Sequence, residues 1–303
     1  MTRVAAIDCG TNSVRLLIAD ISGGELSDVE RRMEIVRLGV GVDRTGRLAP
    51  EALERTFTAM RGYAKLIKDH GASRVRVVAT SATRDAGNRA DFVAGVREIF
   101  GVEPEVVTGS EEAHLSFLGA TTGLTGVAAP FLVVDIGGGS TEFVLGTADV
   151  DNAISVDIGC VRLTERHFGS GATPEAVAAA AEDIDAALDR VAEAVPVERA
   201  RTLIGLAGSV TTVAGIALGL PAYDPARIHG SRVPAARVHE VSQRLLAMSH
   251  DERAAIPVMH PGRVDVIGAG ALILDLIVSR YGFREVVVSE HDILDGIARG
   301  LVS

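Results

Sequence analysis

The sequence predicts an α/β protein of two similar domains, each a mixed β-sheet with helices on its faces, and three observations point there. Apolar runs of strand length alternate with segments of helical period along the chain. One pattern occurs twice: Ala6-Ile7-Asp8-Cys9-Gly10-Thr11-Asn12-Ser13 and Val133-Val134-Asp135-Ile136-Gly137-Gly138-Gly139-Ser140 each join an apolar strand, an Asp at its end, a Gly turn and a hydroxyl before a second strand. The length of 303 residues suits two cores of about 100–200 residues each. The repeat predicts two like halves facing one another across a cleft.

Residues 4–7 read as a buried strand and 8–13 as a tight turn, followed by a second strand over 14–19 that ends near Asp20. A further strand is expected around 34–38. Residues 50–70 are helical, because Ala52, Leu53, Phe57, Met60, Ala64 and Ile67 fall near a 3.6-residue period and Pro50 stands at the start. Then come a strand over 74–79, a helix over 90–100, a short strand over 105–107 and a helix opened by Ser110, expected as its N-cap. The Gly- and Thr-containing loop at 121–126 is the expected boundary, giving domains 1–125 and 126–303, with the last helix able to pack back on the first. The second domain repeats the theme with strands over 131–134 and 141–145, then helices, notably over 174–194 and 235–248.

Composition excludes several classes. Apolar residues are 47% and charged residues 23%, so the chain is not disordered. A net charge of −10 argues against bulk nucleic-acid binding. The best apolar stretch, residues 266–274, lies between Asp265 and Asp275 and falls well short of the ~20 residues of a membrane span. Only residues 4–7 are uninterrupted apolar before Asp8, too few for the core of an export signal. Cys9 and Cys160 form no CxxC or metal-spaced set, which suits a reducing cytoplasm.

The Gly-rich turns carry the chemistry. Without Cβ atoms, backbone N–H groups can converge on an anion, so Gly137, Gly138 and Gly139, with the hydroxyls of Ser140 and Thr141, form a candidate phosphate loop, and Gly10-Thr11-Asn12-Ser13 is its counterpart. Plain hairpin turns with no ligand are the competing reading. A carboxylate beside such a loop repels phosphate unless a divalent cation lies between them, which makes Asp135 and the later Glu142 candidate metal ligands. Leu203-Ile204-Gly205-Leu206-Ala207-Gly208-Ser209 reads as a strand, a tight turn and a helix start, where either an anion or close helix–strand packing would explain Gly208. Ala79-Thr80-Ser81-Ala82-Thr83-Arg84 ends a strand with three hydroxyls and an Arg suited to a terminal phosphate. Glu111 and Glu112 open a helix, where they favour its dipole, and either could orient an attacking water. Cys9 and Arg15 have the C-x5-R spacing of cysteine-dependent phosphatases, but the residues after Cys9 read as a strand rather than the helix such a thiol needs.

Taken in order, Ile7-Asp8-Cys9-Gly10-Thr11-Asn12-Ser13, Thr80-Ser81-Ala82-Thr83-Arg84-Asp85-Ala86, Gly109-Ser110-Glu111-Glu112-Ala113 and Val134-Asp135-Ile136-Gly137-Gly138-Gly139-Ser140-Thr141-Glu142 resemble the exopolyphosphatase / guanosine pentaphosphate phosphatase family. Further matches are Ala207-Gly208-Ser209, His229-Gly230, Arg263-Val264-Asp265-Val266-Ile267 and residues 289–296, so the resemblance spans the chain. It implies two actin-like (ribonuclease H-like) domains with the active site in the cleft between them. It also implies release of orthophosphate from the end of inorganic polyphosphate, with Mg²⁺ or another divalent cation such as Mn²⁺, in a cytoplasmic homodimer. Carried over by motif, Glu112 is the base that activates water. Asp135 and Glu142 hold the metal. By the same resemblance Thr11, Asn12, Ser13, Ser81, Arg84, Gly137, Gly138, Gly139, Ser140 and Thr141 would grip phosphates, and Gly208 and Ser209, in a third loop, would also bind the phosphate chain. The sequence stops after the second-domain signature, as in a short member of the family, which suggests a preference for short chains. Guanosine pentaphosphate is the alternative substrate. A phosphotransferase with an acceptor, or a non-catalytic sensor of polyphosphate or nucleotide, would use the same loops.

Overall fold

The computed structural model describes residues 1–169 and 171–302. Two compact units make up the chain, one comprising Met1–Gly119 together with the residues from Ile293 onward, the other Ala120–Asp292.

The first unit contains β1 (Thr2–Cys9), β2 (Ser13–Ser22), β3 (Glu25–Ile35), α1 (Val42–Thr45), α2 (Pro50–His70), β4 (Arg74–Ala79), α3 (Ser81–Asp85), α4 (Arg89–Phe100), β5 (Glu105–Val106) and α5 (Gly109–Thr121), the last of which runs into the second unit. Its sheet has the order β3-β2-β1-β4-β5, with β1, β2 and β3 antiparallel neighbours and β1, β4 and β5 parallel. The middles of β1 and β2, residues 4–7 and 16–19, are apolar because both faces are covered. Ala5, Ile7, Leu16 and Ile18 pack with Met60, Phe92 and Val96 of the helices on one side. Val4, Ala6, Leu17 and Ala19 pack on the other side with Leu294 and Ile297 of the C-terminal helix (Ile293–Arg299). That apolar face explains why the C-terminal helix counts with the first unit. The division falls within α5 rather than in the loop at 121–126.

The strand expected at 34–38 is in fact β3, which starts at Glu25 and ends at Ile35. The left-handed pair Gly23 and Gly24 turns the chain back on β2, and β3 is an edge strand whose exposed charged residues obscure any apolar alternation. Residues 36–39 leave the sheet because the N–H groups of Val36 and Arg37 bond the Asn12 carbonyl and that of Gly39 bonds the Thr11 carbonyl.

The second unit contains β6 (Phe131–Ile136), β7 (Thr141–Gly146), β8 (Val150–Val156), α6 (Cys160–His167), α7 (Pro174–Ala194), β9 (Thr202–Leu206), α8 (Ala207–Ala217), α9 (Pro225–Ile228), β10 (Arg232–Pro234), α10 (Ala235–Ala247), α11 (His250–Ala254), α12 (Ile267–Tyr281) and β11 (Glu285–Val288), and the C-terminal helix already described is α13. Its sheet order is β10-β11-β9-β6-β7-β8. Followed from β8, the run β8-β7-β6-β9-β11 repeats β3-β2-β1-β4-β5, including the antiparallel meander and the parallel strands beside it. The internal repeat therefore extends from a turn motif to a topology. The apolar stretch at 266–274 lies almost entirely in α12, where Ile267, Ala271, Ile273 and Leu274 are core residues. Among the described residues no helix is long and apolar enough to cross a membrane.

Candidate active site

The two repeated turns are built alike. In the first, the Gly10 N–H donates to the Ser13 carbonyl at 2.9 Å; in the second, the Gly137 N–H donates to the Ser140 carbonyl at 3.0 Å. A later segment then ties off the loop carbonyls. At the first loop it is residues 36–39, and Gly39 makes the approach feasible, since a Cβ there would stand 2.2 Å from the Thr11 Cγ2. At the second loop it is the start of α6. The Cys160 N–H bonds the Gly137 carbonyl (3.0 Å), the Val161 and Arg162 N–H groups bond the Gly138 carbonyl (2.9 and 3.1 Å), and the Arg162 Nε bonds the Gly139 carbonyl (2.7 Å). Gly159 permits this contact, because a Cβ on it would lie 2.4 Å from the Gly138 carbonyl oxygen.

A trans peptide holds each C=O antiparallel to the N–H that follows it. Carbonyls of Gly137, Gly138 and Gly139 turned toward α6 therefore turn the N–H groups of Gly138, Gly139 and Ser140 the other way. Among the described residues these three amides donate to no protein group, and the same holds for the amides of Thr11 and Asn12. Successive N–H groups without a protein partner can serve as an anion-binding nest. Asn12 and Ser13 are half-buried beside the first loop, and Ser140 is buried in the second. The Thr141 hydroxyl, also buried, already donates to the Ile158 carbonyl at 2.6 Å.

The Asp that precedes each loop has a different partner in each unit. Asp8 lies opposite Arg15 across β1 and β2, and the Arg15 Nη2 reaches its Oδ2 at 2.6 Å. Asp135 lies opposite Glu142 across β6 and β7, so two buried carboxylates share one face of the sheet in direct register. Like charges directly opposite destabilise a ladder. The Ser155 hydroxyl donates to Glu142 Oε1 at 2.8 Å and orients that carboxylate.

Parallel pairing of β1 with β4 sets Cys9 beside Ala79, which brings the first loop to the start of α3. There the hydroxyls of Thr11 and Ser81 are 2.9 Å apart. From α3 the Arg84 side chain reaches α5, and its Nη1 donates to Glu112 Oε2 at 2.9 Å and to the Val107 carbonyl at 3.2 Å. Glu111 is engaged differently. Its Oε2 accepts from the Thr108 N–H (2.8 Å) and hydroxyl (2.9 Å), while the Glu111 N–H donates to Thr108 Oγ1 (3.2 Å). This is a capping box, and these hydrogen bonds hold the Glu111 carboxyl below its ordinary pKa. The helix cap is thus Thr108 rather than Ser110, and the box separates the two glutamates: Glu111 caps the start of the helix and Glu112 faces Arg84. Thr108→Ala is expected to cost about 1 kcal/mol of stability, read by denaturant unfolding, whereas Glu111→Gln leaves catalytic turnover intact.

The third loop joins the second. Parallel pairing of β6 and β9 sets Asp135 beside Leu206, so residues 207–209 begin at the edge where loop 137–140 begins. Ala207 takes the left-handed conformation (φ 66°), a local strain of about 1 kcal/mol for a residue with a Cβ. Gly208 leaves room for the Arg263 guanidinium, whose carbon would lie 2.3 Å from any Cβ added there. Ser209 fits against Gly270, which also faces Cys160 at the N-terminus of the helix that ties off loop two.

Cys9 is not a nucleophile. It is buried, its thiol is pushed well above the ordinary pKa by burial and by Asp8, and Arg15 is committed to Asp8 on a strand. Gly39, Gly159 and Arg162 shape the loops from positions outside every motif quoted above, and Arg263 does so from one of the further matches. An isolated glycine next to an apolar segment was the one signal available for the first two.

The chain matches the Ppx/GppA phosphatase family over residues 17–301. It is 53% identical to Exopolyphosphatase 2 of Mycobacterium tuberculosis, with 99% of each chain covered. Among solved structures, an exopolyphosphatase-like protein superposes with a TM-score of 0.94 at 42% identity, covering 98% of this chain and 97% of that one. The Aquifex aeolicus Ppx/GppA family member superposes with a TM-score of 0.81 at 32% identity, covering 99% and 97%.

Proposed function

Because this chain belongs to the Ppx/GppA phosphatase family, a premise that also fixes its two-domain actin-like fold, we propose that it is an exopolyphosphatase, hydrolysing the terminal phosphoanhydride of inorganic polyphosphate to release orthophosphate. The observation that carries the reading is the nest of partnerless amides at Gly138, Gly139 and Ser140, built by the commitment of the preceding carbonyls to α6. Polyphosphate is a chain of phosphate anions, and the partnerless amides of Thr11 and Asn12 offer a second place for one of them.

The donor chemistry of Asp135 and Glu142 fits a hard divalent cation. Mg²⁺ takes one or two carboxylates and fills its remaining positions with water and substrate phosphate oxygens, so two facing carboxylates suffice, and a cation removes the repulsion between them. When bound there, Mg²⁺ or Mn²⁺ neutralises phosphate charge. Glu112 accepts the proton of the attacking water as its oxygen bonds to the terminal phosphorus, and the shortened chain leaves with the bridging oxygen. Arg84 holds the Glu112 carboxylate and grips the terminal phosphate, so base and target share one anchor. Amide N–H groups stabilise the charge that develops on the phosphoryl oxygens. Guanosine pentaphosphate presents the same terminal phosphoanhydride and is the second substrate of this reading. The buried thiols of Cys9 and Cys160 suit a reducing cytoplasm, and a homodimer rests on the family resemblance alone.

Orthophosphate release from polyphosphate and from guanosine pentaphosphate, measured side by side with Mg²⁺ and with chelator, tests the reading. Mg²⁺-dependent release from polyphosphate is expected. Release from neither substrate would leave a protein that binds phosphate chains without cutting them. Asp135→Asn is expected to raise the Mg²⁺ concentration for half-maximal rate by at least about tenfold, since even groups one bond beyond a metal's ligands matter that much. Asp8→Asn leaves that concentration unmoved, because Arg15 already balances Asp8.

A further inference from the structure

β6, β9 and β11 run parallel, so loops 137–140 and 207–209 follow their finishing ends and a different surface lies where they start. A cavity of about 660 Å³ opens at that starting edge, about 17 Å along β9 from the third loop. Its wall includes Leu203, Val197, Tyr281 and Phe283, and three arginines, Arg201, Arg232 and Arg284, also line it. Arg232 is committed to Glu285 and to the Gly126 carbonyl. Among the described residues Arg201 and Arg284 have no side-chain partner, and Glu198 is the one lining carboxylate that nothing balances. The Tyr281 hydroxyl bonds the Leu188 carbonyl at 3.1 Å, which anchors the ring, and Phe283 packs partly into the core of the unit.

The cavity thus sets two uncommitted guanidinium groups beside a half-buried aromatic pair, on a chain of net charge −10. Guanidinium forks bind phosphate in paired hydrogen bonds, and aromatic and apolar walls accept a flat ring. The volume lies within the range of small-molecule pockets. We propose that this cavity is a second ligand site, separate from the phosphate loops, that takes a nucleoside phosphate with its base against Tyr281 and Phe283 and its phosphates on Arg201 and Arg284. An inorganic phosphate chain alone would leave the apolar wall unused.

Photolabelling of the full chain with 8-azidoadenosine and 8-azidoguanosine triphosphates, followed by peptide mapping, tests this. Label is expected on peptides spanning 197–203 or 281–285. Absence of label from both with both probes overturns the proposal. Arg201→Glu combined with Arg284→Glu is expected to cut that labelling by about tenfold or more, as loss of charged hydrogen bonds does, while orthophosphate release from polyphosphate stays unchanged. Undiminished labelling in the double variant overturns the assignment of those arginines. Unlabelled nucleoside triphosphate should protect better than inorganic tripolyphosphate at equal concentration. Equal protection would reduce the site to a plain anion site and overturn the ligand class.

Discussion

Glu112→Gln is expected to lower the rate of orthophosphate release by about 10²–10⁴-fold, the span of a general base's contribution, while polyphosphate binding persists. Gln keeps the shape of Glu and still accepts a hydrogen bond from Arg84, so the anchor for the terminal phosphate remains. What disappears is the group proposed to take the proton from water. Arg84 loses the carboxylate it faced at 2.9 Å, but its side chain is 23% exposed and water can solvate it, so the loss of stability is small beside the loss of turnover. Single-turnover rates and equilibrium binding of the same polyphosphate separate the two effects. An undiminished rate would remove Glu112 from the chemistry. Glu111→Gln is the natural control, since its carboxylate is spent on the helix cap.

Gly159→Ala is expected to lower turnover by about 10²-fold, the cost of an ångström-scale misplacement of a catalytic group, with a stability loss of about 1–3 kcal/mol from overpacking. The added methyl would lie 2.4 Å from the Gly138 carbonyl oxygen, 2.5 Å from its carbon and 2.6 Å from the Gly139 carbonyl carbon. All three are backbone atoms of loop 137–140, so no side chain can swing aside to relieve the contact. Either the loop or the start of α6 must move, and the bonds from Cys160, Val161 and Arg162 that orient the nest lengthen. Gly62→Ala is the contrasting substitution. It lies in α2 with open space around it, so stability should rise by about 1 kcal/mol and turnover should not change. A phosphate loop indifferent to Gly159→Ala would mean that the nest is not what binds substrate.

Local rules made some of this protein legible and tertiary contacts hid the rest. Helices at 50–70 and 174–194 were readable to the residue because Pro occupies the first position of each and apolar side chains keep the helical period. β4 was equally clear as a short Val-rich segment, with Arg74 and Arg76 alternating with its valines. β3 was misplaced because an edge strand with exposed charges has no apolar alternation, and because Val36 and Leu38 are buried by loop packing rather than by the sheet. The cap of α5 was available in Thr108-Gly109-Ser110-Glu111, a Thr three residues before a Glu, and it alone would have separated Glu111 from Glu112. The Arg84–Glu112 pair joins residues of two helices, which no spacing rule reveals. Both Asp-led turns were visible as a repeat, yet the contrast that gives them different chemistry, Arg15 against Glu142 in the cross-strand position, emerged only with strand register.

The most direct measurement follows the oxygen of water. With polyphosphate as substrate in ¹⁸O-enriched water, a first turnover by attack on the terminal phosphorus puts one ¹⁸O into the released orthophosphate, and that labelled product collapses with Glu112→Gln. Orthophosphate released without label, or labelled release that persists in the variant, would contradict the account.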